Sequence, residues 1–156
     1  MDEAIQVYGS MNDLSIRGRS LPVWLKTEPR LGLKIVEGMI ARAEKTGVTS
    51  SMLLCDLYRF KAEMMLKVYV DSLEEIEEIF NYAKKLAIEG GFLLSIVKIL
   101  RSLVKLYAVK RDYTSLKVTL SELSVAFSDL KKSNTSVNIP SVLKDVDVLL
   151  KINGLT

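Results

Sequence analysis

Lys98, Arg101 and Lys105 stand at i, i+3 and i+7, with Ser102 among them and Lys110-Arg111 following. On a helix that spacing puts three cations on one face, where they can hold carboxylates or phosphates through charge-assisted hydrogen bonds. The same stripe has a plainer use, because long basic side chains let an otherwise apolar helix reach water. A second basic region, Arg17, Arg19, Lys26 and Arg30, lies near Tyr8 and Trp24 and has the make-up of an arm that tracks a phosphate backbone. Asp13 and Glu28 dilute it. The paired acids Glu74/Glu78 and Asp145/Asp147 have the residue types for cation binding or acid-base work. At helical spacing they read more simply as solvated surface.

The rest of the composition narrows the chemistry. The 156 residues contain no histidine and one cysteine. Imidazole catalysis and imidazole metal ligation are thereby excluded, as are a disulfide within the chain and a multi-cysteine zinc site. Cys55 sits in an apolar stretch and reads as a small buried hydrophobe. A phosphate-binding glycine loop, a dinucleotide fingerprint and a nucleophile elbow are all missing. The expectation is therefore a protein that is not an enzyme, with no cofactor and no metal. A net charge of +3 is too mild to indicate nucleic acid by itself. The opening MDEAIQVYGS lacks the basic-then-apolar layout of a secretory signal, and Lys98, Arg101 and Lys105 interrupt the most apolar window. A cytoplasmic protein with no membrane segment is expected.

The elements that position these residues are helices. Residues 1–28 are broken by Gly9, Asn12, Asp13, Gly18 and Pro22 and are expected to be irregular, with Trp24 anchoring on the first helices. From Pro29, apolar residues recur at three and four: Leu33, Val36, Ile40 and Ala43, ended by Gly47. Thr49 or Ser50 caps a second helix, in which Asp56, Arg59, Glu63 and Lys67 form a polar stripe. Ser72-Leu73-Glu74-Glu75 is a capping box that opens a third, closed by Gly90-Gly91. Phe92 to about Arg111 is apolar nearly all round and predicts a central helix. After a turn at Asp112–Thr114, Leu116, Leu120, Leu123, Phe127 and Leu130 form a regular seam. Lys131–Asn138 reads as a loop, and Pro140 opens a last helix with Val142, Val146, Leu149 and Leu150 inward. The expectation is an all-α fold of about six antiparallel helices: an irregular segment 1–28, then one domain over 29–156.

Helix starts repeat at about 41 residues, a period typical of helical repeats. Leu100-x-x-Leu103-Val104-x-x-Tyr107, followed by Asp112-Tyr113, Leu116 and Leu120, resembles a degenerate tetratricopeptide repeat over about residues 100–130. That family's pattern is W-x2-L-G-x2-Y, then A-x3-F and a proline. Here Val104 replaces the glycine, Leu116 the alanine, and Ser128 lies near the expected proline. The resemblance implies stacked helical hairpins in a right-handed superhelix whose first helices line a concave surface. A closed helical bundle is the alternative. On the stacked reading Lys98, Arg101, Ser102 and Lys105, with Arg17 and Arg19, are candidate partner-binding residues. The function expected is a non-catalytic interaction module or adaptor, binding another protein or a second copy of itself. The alternative is a small nucleoprotein subunit that contacts DNA or RNA phosphates through the same basic residues.

Overall fold

The computed structural model describes residues 21–47, 50–133 and 143–155, and every regular element among them is a helix. They are α1 (21–27), α2 (Pro29–Thr46), α3 (Ser51–Val68), α4 (Leu73–Gly90), α5 (Leu93–Lys110), α6 (Tyr113–Ser133) and α7 (Lys144–Ile152). The all-α class read from the sequence is the class observed, with chain neighbours packed as hairpins. The chain divides into two compact units, Met1–Leu86 and Ala87–Thr156. The boundary falls inside α4, whereas the sequence suggests one domain over 29–156.

In the first unit, residues 21–27 are helical although the pattern of breakers predicts an irregular segment there. Pro22 is compatible with a first helical turn, where no intrahelical partner is needed for its missing N–H. Pro29 then separates α1 from α2 by holding Glu28 out of the helical region, at φ −141 and ψ 73. Even so, the Glu28 amide donates to the Trp24 carbonyl at 2.9 Å and the Gly32 amide to the Glu28 carbonyl at 2.9 Å. The two helices thus follow each other almost without a gap.

Helix α2 buries Leu33, Ile35, Val36, Met39, Ile40 and Ala43, the face that the spacing indicated. It ends at Gly47, whose φ of +63 is the left-handed conformation that lets its amide turn back to the Ala43 carbonyl. Ser50 caps α3 by accepting from the Leu53 amide at 3.2 Å, and Thr49 lies outside the described residues. The α2/α3 pair is close at Gly32. A Cβ there would stand 2.8 Å from the Trp24 Cβ and 2.9 Å from the Met64 Cε, so only glycine fits beneath the tryptophan. Trp24 does pack on the first helices. The buried face of α4 contains Ile76, Phe80 and Ala83, and the Cys55 Sγ donates to the Ala83 carbonyl at 3.4 Å. Cys55 is fully buried, as a small core hydrophobe.

In the second unit, α4 ends with Gly91 at φ +68, and the Phe92 amide reaches back to the Ala87 carbonyl. Helix α5 buries Val97, Ile99, Leu100, Leu103, Val104, Leu106 and Tyr107, which spread over most of its circumference. The connection to α6 is tighter than the expected turn at 112–114. Arg111 takes the left-handed conformation at φ 57, and Asp112 caps α6 by accepting from the Ser115 amide at 3.1 Å and the Ser115 hydroxyl at 2.6 Å. The hydroxyl bond first, and the amide bond with it, hold the Asp112 carboxyl below its ordinary range. Along α6 the residues Leu120, Leu123, Phe127 and Leu130 of the predicted seam are buried, and the helix continues through Lys131–Ser133, where a loop was expected. In α7, Val146 and Leu150 face inward with Leu143 just before them. Pro140 and Val142 lie outside the described residues.

Candidate functional site

The cationic stripe on α5 is present, and its members are used unequally. The Arg101 Nη1 donates to the Asp145 Oδ1 of α7 at 3.2 Å, with the arginine side chain largely covered and the aspartate half open. Ser102 is buried, and its hydroxyl donates to the Lys98 carbonyl of its own helix at 3.2 Å. Lys98 is half-buried and Lys105 is exposed. Arg17 and Arg19 lie outside the described residues.

The paired acids separate by role. Glu74 and Glu78 are exposed in the first turns of α4, where their charge complements the helix dipole. Asp145 binds Arg101, while Asp147 accepts from Lys151 at 2.7 Å and Lys131 at 3.3 Å. Those two bonds, Lys151 first, keep the Asp147 carboxyl below its ordinary range. The pair therefore ties α7 to α5 and α6. Among the described residues, no group of three or more cysteine and acidic side chains converges in a metal-binding arrangement. No described helix is long and apolar enough to cross a membrane.

Two features were missed in the sequence. The first is Arg59, which the spacing places only in a polar stripe. Its side chain is only 6% exposed, held by Glu63 at 3.2 Å and Asp56 at 3.6 Å, with its guanidinium carbon 4.3 Å from the centroid of the Phe60 ring. Lys67, which the spacing pairs with Glu63, instead donates to the Leu25 carbonyl at 3.0 Å. This is a buried ion ladder that locks one helix face.

The second is an open groove along the α5/α6 hairpin. Leu93, Ile96 and Leu100 form one wall, and Glu122, Val125, Ala126 and Asp129 the other, with Ser121 at the edge. Val125 is 64% exposed, and Val118, two turns earlier on the same side of α6, is 55% exposed. The signal was available in the sequence as Val118, Glu122, Val125 and Asp129, spaced four, three and four. Among the described residues that line the groove, the ionisable ones are Glu122 and Asp129, which give it an acidic edge on α6. It lies on the face of α5 that carries Leu93, Ile96 and Leu100, away from the cationic face.

No family model matches the chain, and neither a curated protein nor a solved structure matches it.

Proposed function

We propose that this chain is a non-catalytic helical interaction module, tetratricopeptide-like in its α5/α6 hairpin, that binds another protein. The observation that carries the reading is the groove between α5 and α6. Single exposed apolar residues are ordinary on any surface, but here exposed Val125 and half-buried Leu93 and Ile96 line one groove over the buried Leu100 and Ala126. With Ser121, Glu122, Val125 and Asp129 all exposed, the site does not enclose a ligand as small-molecule sites do. A surface of this kind suits a protein contact. The cationic stripe supports the nucleoprotein alternative less well, because Arg101 is engaged by Asp145 and Ser102 by its own helix.

The test compares capture from native extract by the wild-type chain, by Val125→Asp and by the double variant Lys98→Ala/Lys105→Ala. Val125 and Lys105 are exposed, and Lys98 is half-buried, so the fold is expected to survive, which far-UV circular dichroism checks. A protein retained by the wild type and the double variant but lost from Val125→Asp supports the reading. Equal retention by all three overturns the groove's role. Retention of nucleic acid that falls steeply with salt and disappears in the lysine variant establishes the alternative instead.

A further inference from the structure

Helix α7 is amphipathic. Leu143, at its N-cap, and Val146 and Leu150 are fully buried at i, i+3 and i+7, while Val148 and Ile152 are exposed. We infer that the side of α5 and α6 beneath it is a helix-binding site, which α7 occupies from within the chain and which a partner helix of the same pattern takes over. This site is separate from the α5/α6 groove. The groove uses Glu122, Val125 and Asp129 of α6, whereas α7 meets Ser124 and Lys131, on the opposite side of that helix.

The contacts of α7 are ones that another helix can reproduce. Its backbone is paired within its own turns to the end, where the Asn153 amide donates to the Leu149 carbonyl, Gly154 takes φ +69, and the Leu155 amide reaches back to the Leu150 carbonyl. Side chains cross to the neighbours: the three anchors, Asp145 on Arg101 of α5 at 3.2 Å, and Asp147 on Lys131 of α6 at 3.3 Å. The Ser124 hydroxyl adds a bond to the Leu155 carbonyl at 3.1 Å. Ser124, Phe127 and Lys131 advance by three and four residues along α6, with the Lys131 ammonium 4.4 Å from the centroid of the buried Phe127 ring. A hydroxyl, an apolar ring and a cation thus stand in one row two turns long, or about 10 Å.

The way α7 is joined to the chain permits exchange. Arg111 and Asp112 alone connect α5 to α6, so that hairpin cannot part. Residues 134–142 separate Ser133 from Leu143, enough chain to span roughly 30 Å. A helix of 9 residues is too short to be stable alone, so the anchors of α7 must offset the ordering of the whole segment each time it seats. A partner helix that is already folded avoids that ordering. Charge then fixes its type. The partner needs apolar anchors at i, i+3 and i+7 and acids at i+2 and i+4, the positions from which Asp145 and Asp147 reach Arg101 and Lys131.

The probe is a labelled peptide of residues 143–155, titrated with the full chain and followed by fluorescence anisotropy. In the double variant Val146→Asp/Leu150→Asp the new acids disable α7 as the internal occupant and leave the sequences of α5 and α6 unchanged. That variant is expected to bind the peptide at least tenfold more tightly than the wild type, in which α7 competes at the roughly millimolar effective concentration of a tethered ligand. A peptide with Asp145→Lys and Asp147→Lys is expected to bind at least tenfold more weakly than the natural one at low salt. In hydrogen exchange of the wild type, the α7 amides are expected to exchange at least tenfold faster than those of α5 and α6. Equal binding by wild type and double variant, equal binding of the two peptides, or equal protection of α7 and its neighbours overturns the inference. A double variant that loses far more helix than the length of α7 also overturns it, because α7 is then part of the core and not an occupant. So does a wild-type dimer in light scattering that the double variant loses, which puts a second copy's α7 in the site. Val125→Asp, added to the double variant, is expected to leave peptide binding unchanged. If it abolishes binding, the peptide lies in the α5/α6 groove, and this inference fails while the groove reading stands.

Discussion

The two hairpins, α2/α3 and α5/α6, are built alike and place their charge differently. The α3 interior contains a buried arginine, Arg59, paired with Asp56 and Glu63. The α5/α6 interior contains hydroxyls in that role: Ser102 bonds to the Lys98 carbonyl, and Thr119 to the Ser115 carbonyl at 2.7 Å. Each of these contacts lies within a single helix. Between the helices of the first hairpin, Tyr58 donates to the Glu44 carboxylate and Lys61 lies 4.0 Å from Glu37, beside the close packing of Trp24 and Met64 at Gly32; the leucine seam packs the second. A hydroxyl returned to its own backbone is cheap to lose, whereas a guanidinium with a buried stem is not. In the second unit, charged side chains tie α7 to α5 and α6 through Asp145 and Asp147, and Glu122 and Asp129 are exposed on α6.

The largest effect expected from this contrast is apolar. Leu123 is fully buried in the α6 seam, so Leu123→Ala should cost roughly 2 to 5 kcal/mol in urea unfolding followed by circular dichroism. A loss under about 0.5 kcal/mol, the range of neutral surface changes, would show that shape does not hold that hairpin together. Arg59 comes next. Arg59→Ala should cost about 3 kcal/mol, because it empties a packed volume and takes the guanidinium away from Glu63, whose side chain is only 13% exposed. Arg59→Met keeps the volume and removes the charge, and it should cost less than about 1.5 kcal/mol if packing is the larger part. Equal losses in the two variants would mean that the ion ladder itself stabilises the first hairpin. Trp24 fluorescence follows that hairpin directly.

Much of the fold was legible because periodicity and end signals are local. Gly47, Ser50, Gly91 and the seam from Leu120 to Leu130 are at the positions that helix geometry assigns them, and Cys55 is buried where its apolar neighbours placed it. What escaped the reading depends on residues far apart in the chain or on which side of a helix is covered. Lys67 bonds to Leu25 across 42 positions, and Arg101 to Asp145 across 44. A polar stripe such as Asp56, Arg59, Glu63 and Lys67 looks solvated whether or not a neighbour lies over it. Residues 21–27 were misread because Pro22 interrupts a helix only beyond its first turn. The groove was hidden by its own helix: the leucines of α6 account for one face so completely that Val118 and Val125 on the other seemed to need no explanation.

The smallest effect belongs to the edge charges of the second unit. Asp147 accepts from Lys151 and Lys131 and so has a folded-state pKa below its ordinary value of 3.8. The unfolded chain then takes up the proton more readily than the folded one. Stability from the pair is fully present above 3.8 and is lost as the pH falls through the lower folded value. Because the Asp147 side chain is 34% exposed, screening keeps the contribution small. Asp147→Asn removes it at every pH, so the variant should melt slightly below the wild type at neutral pH. The two melting temperatures should converge in acid, and also at neutral pH in about 1 M salt, where the screening length falls to roughly 3 Å. A gap that persists once the pH is low enough to protonate Asp147 in the folded chain would assign the effect of Asp147 to hydrogen-bond geometry. The contrast between a charged interior and charged edges would then be one of shape as well, since removing the charge at the edge would have changed nothing.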